Sequence, residues 1–283
     1  MPPRATPNRR ILVVDDSAIN RLLVQSLLEE NGYPTDTAID GLQAIELLLR
    51  RRYGLVLMDL MMPGITGIET VGRIRALGGW AREVPIVALS AEDPAEFGDH
   101  EGLPPRLDGY ISKPVDPALL LASVGTWLGA HDGPRAPSRK RAAKAAVSAD
   151  WPLTDETQLR ALKSEMPLDS YRTLLKSFLD GARARLGRIR VLLETPDLLA
   201  ASREAHDLKS TSGSFGAPRL CLLANQLEKA CKVGDAVSVS ELMAAIDAIA
   251  DDTWGALERD IADKAGSLKR PAARARSSKS GRP

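Results

Sequence analysis

Hydrophobic and polar positions divide the chain into two regions with different periods. Up to about residue 129, short apolar runs end at polar turns and alternate with amphipathic stretches. Short continuous apolar runs are typical of strands buried on both faces, whereas apolar positions at a period of 3.6 indicate helices. From Thr154 onward no stretch alternates like a strand. The pattern therefore predicts an α/β region followed by an all-α region.

The first region is built from repeated units of a strand and a helix. The predicted strands lie at residues 11–14, 34–39, 55–59, 84–90 and 109–112. Helical periodicity extends to residue 30 and over 40–49, 67–77 and 117–128. The segment 93–107 is rich in proline, glycine and acidic residues and predicts a short or irregular helix. Such alternation predicts a doubly wound, five-stranded parallel sheet.

The second region is a predicted helical bundle. Helical stretches cover residues 154–166, 169–195, 196–215, 218–233 and 236–265, and prolines or glycines separate them. Leu220, Leu223, Leu227 and Ala230 give one of these helices a single apolar face. Aromatic residues form only 4% of the chain, so aliphatic side chains are expected to fill most of both cores.

Basic residues are concentrated in two segments without apolar periodicity. Residues 131–150 hold five lysines and arginines against two aspartates, and residues 264–283 hold seven with no acid. The net charge is only +1, so the remaining bodies are acidic. We interpret 130–150 as a flexible linker and 266–283 as a disordered tail, which leaves domains at 9–129 and 151–265.

Neither secretion nor membrane insertion is indicated. The apolar run at 11–14 is too short for a signal peptide or a membrane span. Cys221 and Cys231 lie on one predicted helix, about 15 Å apart along its axis, and cannot pair with each other. We expect a cytoplasmic protein with no membrane partner.

Acidic residues stand where two predicted strands end. Asp15 and Asp16 follow the first strand, and Asp59 ends the third. The carboxyl ends of parallel strands meet at one edge, where three carboxylates would repel one another unless a cation such as Mg²⁺ joined them. Ser90 and Lys113 bring a hydroxyl and an ammonium to the same edge. Singly, such acids often only cap helices, but this combination favours acceptance of a phosphoryl group at Asp59.

The order of these residues resembles the receiver domain of two-component response regulators over residues 9–129. That family has an acidic pair after strand one, an aspartate after strand three, a hydroxyl residue after strand four and Lys-Pro after strand five. The matching residues here are Asp15-Asp16, Asp59 with Met62-Pro63 and Gly67, Ser90, and Lys113-Pro114. The resemblance implies a flavodoxin-like fold.

The same resemblance implies a role for each site residue. Asp59 would be phosphorylated, Asp16 and Asp59 would hold Mg²⁺ with the Met61 carbonyl, and Asp15 would act on the metal through water. In the same way, Ser90 and Lys113 would bind the phosphoryl oxygens, and Tyr110 would be the switch aromatic. Thr66 departs from the Asp or Asn of many receivers, at a peripheral position. The irregular segment 93–107 puts the usual output face in doubt.

One helix of the second region carries a histidine among small residues. His206, Lys209, Ser210 and Gly213 share a face at i, i+3, i+4 and i+7. That face offers an imidazole nucleophile, a cation for phosphate and small residues that allow close approach of another protein. An isolated histidine on a bundle helix is more often a surface or capping residue, and the small residues could equally serve helix packing.

The stretch also resembles the histidine phosphotransfer (Hpt) domain, with its four-helix core, over about residues 154–250. The family pattern is a histidine, any residue, Leu-Lys, small residues and a glycine ten after the histidine, here His206, Leu208, Lys209, Ser210 and Gly216. Ser210 replaces the commoner glycine. The resemblance implies that His206 carries phosphate, that Lys209 stabilises it and that Glu228 orients the imidazole.

Together these features predict a protein that carries phosphate in a phosphorelay and acts as a switch. We do not expect an enzyme with a separate substrate. The receiver is expected to promote its own phosphorylation and dephosphorylation. The expected partners are a sensor histidine kinase and another receiver domain. Two alternatives stay open. The chain could be a detached C-terminal half of a hybrid sensor kinase, although Met1 and a short polar leader argue modestly against this. It could also be a regulator whose basic tail binds nucleic acid when phosphorylation permits.

Overall fold

A computed structural model describes residues 8–90, 107–129, 151–195 and 197–262. The strands are β1 Ile11–Val14, β2 Thr35–Ala38, β3 Leu55–Asp59, β4 Ile86–Ser90 and β5 Gly109–Ser112. The helices before residue 130 are α1 Ala18–Glu30, α2 Gly41–Arg50, α3 Gly67–Ala76, α4 Trp80–Glu83 and α5 Pro117–Gly129. Those after residue 150 are α6 Glu156–Glu165, α7 Leu168–Glu194, α8 Leu198–Ser214, α9 Pro218–Val233 and α10 Ala236–Ala262. The predicted α/β and all-α regions are confirmed.

The five strands form one parallel sheet in the order β2-β1-β3-β4-β5. The side chains of β1, β3 and β4 are buried throughout, as continuous apolar strands covered by helices on both faces require. Val14 of β1 lies beside Met58 of β3, so the residues that follow them leave the sheet at the same edge. The register alone therefore brings Asp15 next to Asp59.

Local capping explains two helix starts near this edge. The Asp40 carboxylate accepts a hydrogen bond from the backbone N–H of Gln43 at the start of α2. Thr66 and Glu69 form a reciprocal capping box at the start of α3, which gives Thr66 a structural role. Helix α4 was not predicted, because four residues are too few to show helical periodicity.

The second region packs as a bundle around aromatic and aliphatic side chains. Phe178 of α7 stacks on Phe215 with ring centroids 4.8 Å apart, and Trp254 of α10 meets Phe178 edge-on at 6.3 Å. Tyr171, Phe178 and Phe215 are almost fully buried. These aromatic side chains occupy the interior of the bundle, surrounded by leucine, isoleucine and alanine.

The two regions pack against each other instead of remaining separate bodies. One hydrophobic cluster runs from the sheet through α1 and α5 into the bundle, and includes Leu23, Val124, Leu159 and Leu175. The Cβ of a residue at position 181 in α7 would lie 3.3 Å from Ile19 of α1, so Gly181 permits this close approach. The sequence predicts a flexible linker at 130–150 and does not predict that the two regions dock.

Several predictions lie outside the described residues. They are the linker at 130–150, the tail at 266–283 and all but the last residue of the irregular segment at 93–107. Within the part of the chain that the structure describes, no helix is both long and apolar enough to cross a membrane.

Candidate functional site

A buried lysine joins the acidic residues at the edge of the sheet. The ammonium of Lys113 donates to the carboxylate of Asp59 over 2.6 Å and to that of Asp15 over 2.8 Å. All three side chains are at most 5% exposed. Lys113 reaches them because its backbone N–H donates to the Ser90 carbonyl over 2.8 Å, which extends the pairing of β4 with β5 by one residue.

Burial and charge act in opposite directions on the pKa values of this group. Burial lowers the pKa of Lys113, but the carboxylates of Asp15 and Asp59 outweigh it, so the pKa is raised and the ammonium stays protonated. Burial also raises the pKa of Asp59 to about 6, even though Lys113 lowers it. The Asp59 carboxylate therefore lies against a cation whose position is set by the pairing of β4 with β5.

Asp16 completes the cluster of acids. Burial raises its pKa to about 7, with further increases from Asp207, Asp15 and Asp59. Asp15, Asp16 and Asp59 each place an oxygen within 4.8 Å of the others. The Oδ1 atom of Asp16 is shielded from solvent and has no hydrogen-bond partner among the described residues. A cluster of oxygen ligands with one unsatisfied oxygen fits Mg²⁺, which prefers carboxylates and retains several waters.

Other residues expected in this site contact Asp59 or lie at the end of the neighbouring strand β4. The backbone N–H of Met61 donates to Asp59 Oδ1 over 3.0 Å. Ser90 is buried at the end of β4, and its carbonyl accepts from the half-buried Tyr110 hydroxyl over 2.9 Å. A Cβ at position 67 would lie 2.1 Å from the Asp59 carbonyl, so only glycine fits there. The roles that the resemblance implies for Met61, Ser90 and Tyr110 stay predictions.

A second cluster surrounds His206 on the bundle. The Nδ1 of His206 lies 3.0 Å from Glu228 Oε1. Lys209 and Lys232 each donate to the same carboxylate over 2.6 Å. Glu228 is only 4% exposed, and the His206 side chain is 13% exposed. One carboxylate thus holds one nitrogen of the imidazole ring and two ammonium groups, which leaves Nε2 as the nitrogen available for chemistry.

The charge of Glu228 is stabilised by its neighbours. Burial favours the neutral acid, but hydrogen bonds from His206, Lys209 and Lys232 outweigh it, so the pKa of Glu228 lies below its ordinary value. Lys232 was not identified from the sequence, because it lies on α9 and His206 lies on α8, so helical spacing does not relate the two residues. It could have been found as the residue four after Glu228 on α9.

Helix α8 connects the two clusters. The side-chain amide of Asn20 on α1 donates to the Ser210 hydroxyl over 3.2 Å and lies 3.5 Å from Asp15 Oδ1. The backbone N–H of Val115 donates to the Ser214 hydroxyl over 3.0 Å. The face of α8 that was predicted from its small residues therefore contacts the edge of the sheet in the same chain.

Close packing accompanies these hydrogen bonds. A Cβ at position 213 would lie 2.8 Å from Pro114 Cβ, so Gly213 allows α8 to approach the loop after β5. Gln158 of α6 bridges the two regions, since its amide donates to the carbonyls of Val115 and Ser214, each over 3.0 Å. Neither Asn20 nor Gln158 was identified from the sequence, because both act across regions distant along the chain.

Comparison with protein families agrees with this arrangement. The family model described as response regulator receiver domain matches residues 11–125, and the model described as Hpt domain matches residues 173–259. The first match contains Asp15, Asp16, Asp59, Ser90 and Lys113. The second contains His206, Lys209, Glu228 and Lys232.

Individual proteins are similar to parts of this chain. The sensor protein GacS of Pseudomonas syringae pv. syringae is 33% identical over 77% of this chain, which spans 24% of GacS. The transcriptional regulatory protein ResD of Bacillus subtilis is 40% identical over 44% of this chain and 49% of its own. The chemotaxis response regulator CheY4 of Vibrio cholerae is 31% identical over 43% of this chain and 99% of its own, with a TM-score of 0.40. The chain thus spans about a quarter of the sensor protein.

Proposed function

Because the chain belongs to the response regulator receiver family over residues 11–125 and to the Hpt family over residues 173–259, we propose that it relays a phosphoryl group between Asp59 and His206. The observation that carries this proposal is the position of α8, which bears His206 and contacts the receiver through Asn20 and Val115. The protein acts as a carrier and a switch, because both acceptor groups belong to the chain itself.

The receiver site accepts the phosphoryl group on Asp59. A carboxylate oxygen of Asp59 forms the new O–P bond while the bond from phosphorus to the donor breaks, and the donor keeps that electron pair. Lys113, already 2.6 Å from Asp59, neutralises the incoming oxygens, and the hydroxyl of Ser90, which follows the strand partner of Asp59 on β4, would bind another. Mg²⁺ bound by Asp16, Asp59 and the Met61 carbonyl, with Asp15 acting through water, would supply further positive charge.

The Hpt site carries the group on His206. Glu228 holds Nδ1, so Nε2 forms the P–N bond. The phosphoryl group brings negative charge close to Lys209 and Lys232. Both ammonium groups already donate to the carboxylate of Glu228, which also holds the imidazole. Both ammonium groups can turn from Glu228 toward phosphoryl oxygens without a change of fold, since lysine side chains are long and flexible.

Transfer between the two sites exchanges one bond for another. When phosphate moves from Asp59 to His206, the O–P bond breaks, the P–N bond forms, and the Asp59 carboxylate is regenerated. Lys113 and Lys209 remain as the cations on either side of the transferred group. A sensor histidine kinase would load Asp59, and a second receiver would take the group from His206. We place this relay in the cytoplasm.

The two kinds of phosphoamino acid provide the test. An acyl phosphate on Asp59 is lost in alkali, and a phosphoramidate on His206 is lost in acid. After incubation of the full chain with a radiolabelled small acyl phosphate and Mg²⁺, we expect both types of label. His206→Gln should remove only the acid-labile, alkali-stable label, whereas His100→Gln and His131→Gln, the other two histidines of the chain, should retain it. Persistence of that label in His206→Gln would refute the Hpt assignment.

A further inference from the structure

Asp207, the residue after His206, occupies the receiver-facing side of α8. Asp207, Ser210 and Ser214 stand at i, i+3 and i+7, which places them on one face of the helix. Ser210 and Ser214 make the hydrogen bonds to Asn20 and Val115 of the receiver. Asp207 therefore lies one turn nearer the start of α8, on the side that is docked.

The Asp207 carboxylate adds negative charge to an already acidic site. Burial raises the pKa of Asp16, and the charge of Asp207 raises it further, which agrees with the position of Asp207 on the docked side of α8. Arg185 of α7 bonds Asp207, but it also pairs with Glu204 over 3.1 Å, so its charge is shared. Docking of α8 thus brings a fourth carboxylate toward three that already repel one another.

Nothing described in the receiver neutralises Asp16 by direct contact. Lys113 is bonded to Asp15 and Asp59, and Asp16 Oδ1 is shielded from solvent without a hydrogen-bond partner among the described residues. Asn20 joins the two bodies at this point, because its amide lies against both Asp15 and Ser210. The acids and the docking contacts therefore belong to one connected group.

From this arrangement we infer that docking of the Hpt helix α8 on the receiver is coupled to binding of a divalent cation by Asp15, Asp16 and Asp59, and that Asp207 carries the coupling. Without the cation, Asp207 opposes docking by repulsion. With the cation bound, the charges of the three carboxylates are neutralised by Lys113 and the metal together, so Asp207 no longer opposes docking. By reciprocity, the docked form binds the cation more tightly than the undocked form. This inference rests on the proposed metal site.

Hydrogen exchange of the full chain tests the coupling directly. The peptide 207–216 of α8 contains no metal ligand, so its exchange reports docking and not metal contact. We expect its exchange to be at least about fivefold slower in saturating Mg²⁺ than in EDTA, the lower end of typical coupling strengths. NaCl at the same ionic strength should not reproduce the effect, since screening alone acts on all charges.

Two variants separate Asp207 from general charge effects. Asp207→Asn should make exchange slow in EDTA as well, so that the difference between EDTA and Mg²⁺ falls below about twofold. Glu241→Gln removes one charge from the exposed surface of α10 and leaves Arg185 and its partners unchanged, so it should retain the wild-type difference. Titration calorimetry with MgCl₂ on each protein measures metal binding separately.

The outcomes distinguish the inference from the proposed metal site. Normal Mg²⁺ binding with unchanged exchange in peptide 207–216 would overturn the coupling and leave the metal site standing. Equal loss of the Mg²⁺ effect in Asp207→Asn and Glu241→Gln would overturn the role of Asp207. Absence of Mg²⁺ binding in calorimetry would overturn both the site and the coupling.

Discussion

Asn20 on α1 and Ser210 on α8 are joined by a side-chain hydrogen bond of 3.2 Å, although they are 190 residues apart in the chain. Both side chains are almost fully buried. Since a shift of α8 would break this buried hydrogen bond, the bond favours a single docking geometry for α8. Asn20 also lies beside Asp15, so the same contact aligns the helix that bears His206 with the acidic edge of the receiver.

Phosphorylation of Asp59 should require a divalent metal. In a His206→Gln background, which leaves Asp59 as the acceptor, we expect labelling by a small acyl phosphate in Mg²⁺ and none in EDTA, because three clustered acids repel the anionic donor. Scintillation counting of the isolated protein measures the label. Adding Asp59→Ala should abolish it, whereas Asp40→Asn, a change at an exposed helix cap, should not. Metal-independent labelling would contradict the proposed site.

Removal of the Glu228 charge should destabilise the bundle at neutral pH. Glu228→Gln leaves Lys209 and Lys232 near a neutral amide, and we expect a loss in the free energy of unfolding on the order of 2 kcal/mol at pH 7. Urea denaturation followed by circular dichroism measures the difference. Glu241→Gln, on the exposed surface of α10, provides the matched control and should change stability little.

The effect of Glu228→Gln should decrease in acid. The folded-state pKa of Glu228 lies below its ordinary value of 4.5, so its charge stabilises the fold fully above pH 4.5, and this stabilisation is lost as the pH falls through the folded-state pKa. The difference between wild type and Glu228→Gln should therefore be smaller at pH 3 than at pH 7. A difference that grows in acid would show that Glu228 is not held as a carboxylate.

Two glycines of α7 should respond differently to the same substitution. Gly181→Phe places a ring where a Cβ already comes within 3.3 Å of Ile19, so it should push α7 away from α1. Gly187→Phe lies on the same helix with nothing within 4 Å of its Cβ and should leave docking intact. Small-angle X-ray scattering should show a larger radius of gyration for Gly181→Phe alone. An equal expansion of both variants would indicate general destabilisation of α7.

Transfer between Asp59 and His206 should occur within one molecule. Docking holds the two sites in a single body, and even a flexible connection of about 20 residues would give an effective concentration of order millimolar. After loading of Asp59, the rate at which label reaches His206 in the wild type should not change on dilution. Rapid quenching followed by acid and alkali treatment measures it.

A mixture of two variants tests the same point in trans. Asp59→Ala and His206→Gln proteins together can transfer phosphate only between molecules, so their rate should be proportional to concentration. If the wild-type rate falls on dilution in the same way as that of the mixture, each site serves a separate partner.

The sequence by itself determined the two folds and most residues of each cluster. Apolar runs that end in Asp15-Asp16 and Asp59 predict buried parallel strands, and the register of such strands places their ends at one edge for geometric reasons. Helical spacing likewise determined that His206, Ser210 and Gly213 share a face. These conclusions depend on short apolar runs and on the 3.6-residue period of helices, which are local and can be read without the fold.

Only the tertiary structure decided what that face contacts. Asn20 and Ser210 lie in different domains. Lys232 and His206 share the Glu228 carboxylate only because α9 packs beside α8. Contacts between residues distant along the chain leave no periodic pattern, so the sequence did not indicate that the receiver and the bundle form one packed body. The same limit concealed Asp207, whose position beside the receiver acids follows from the docking of α8 and not from its neighbours in the chain.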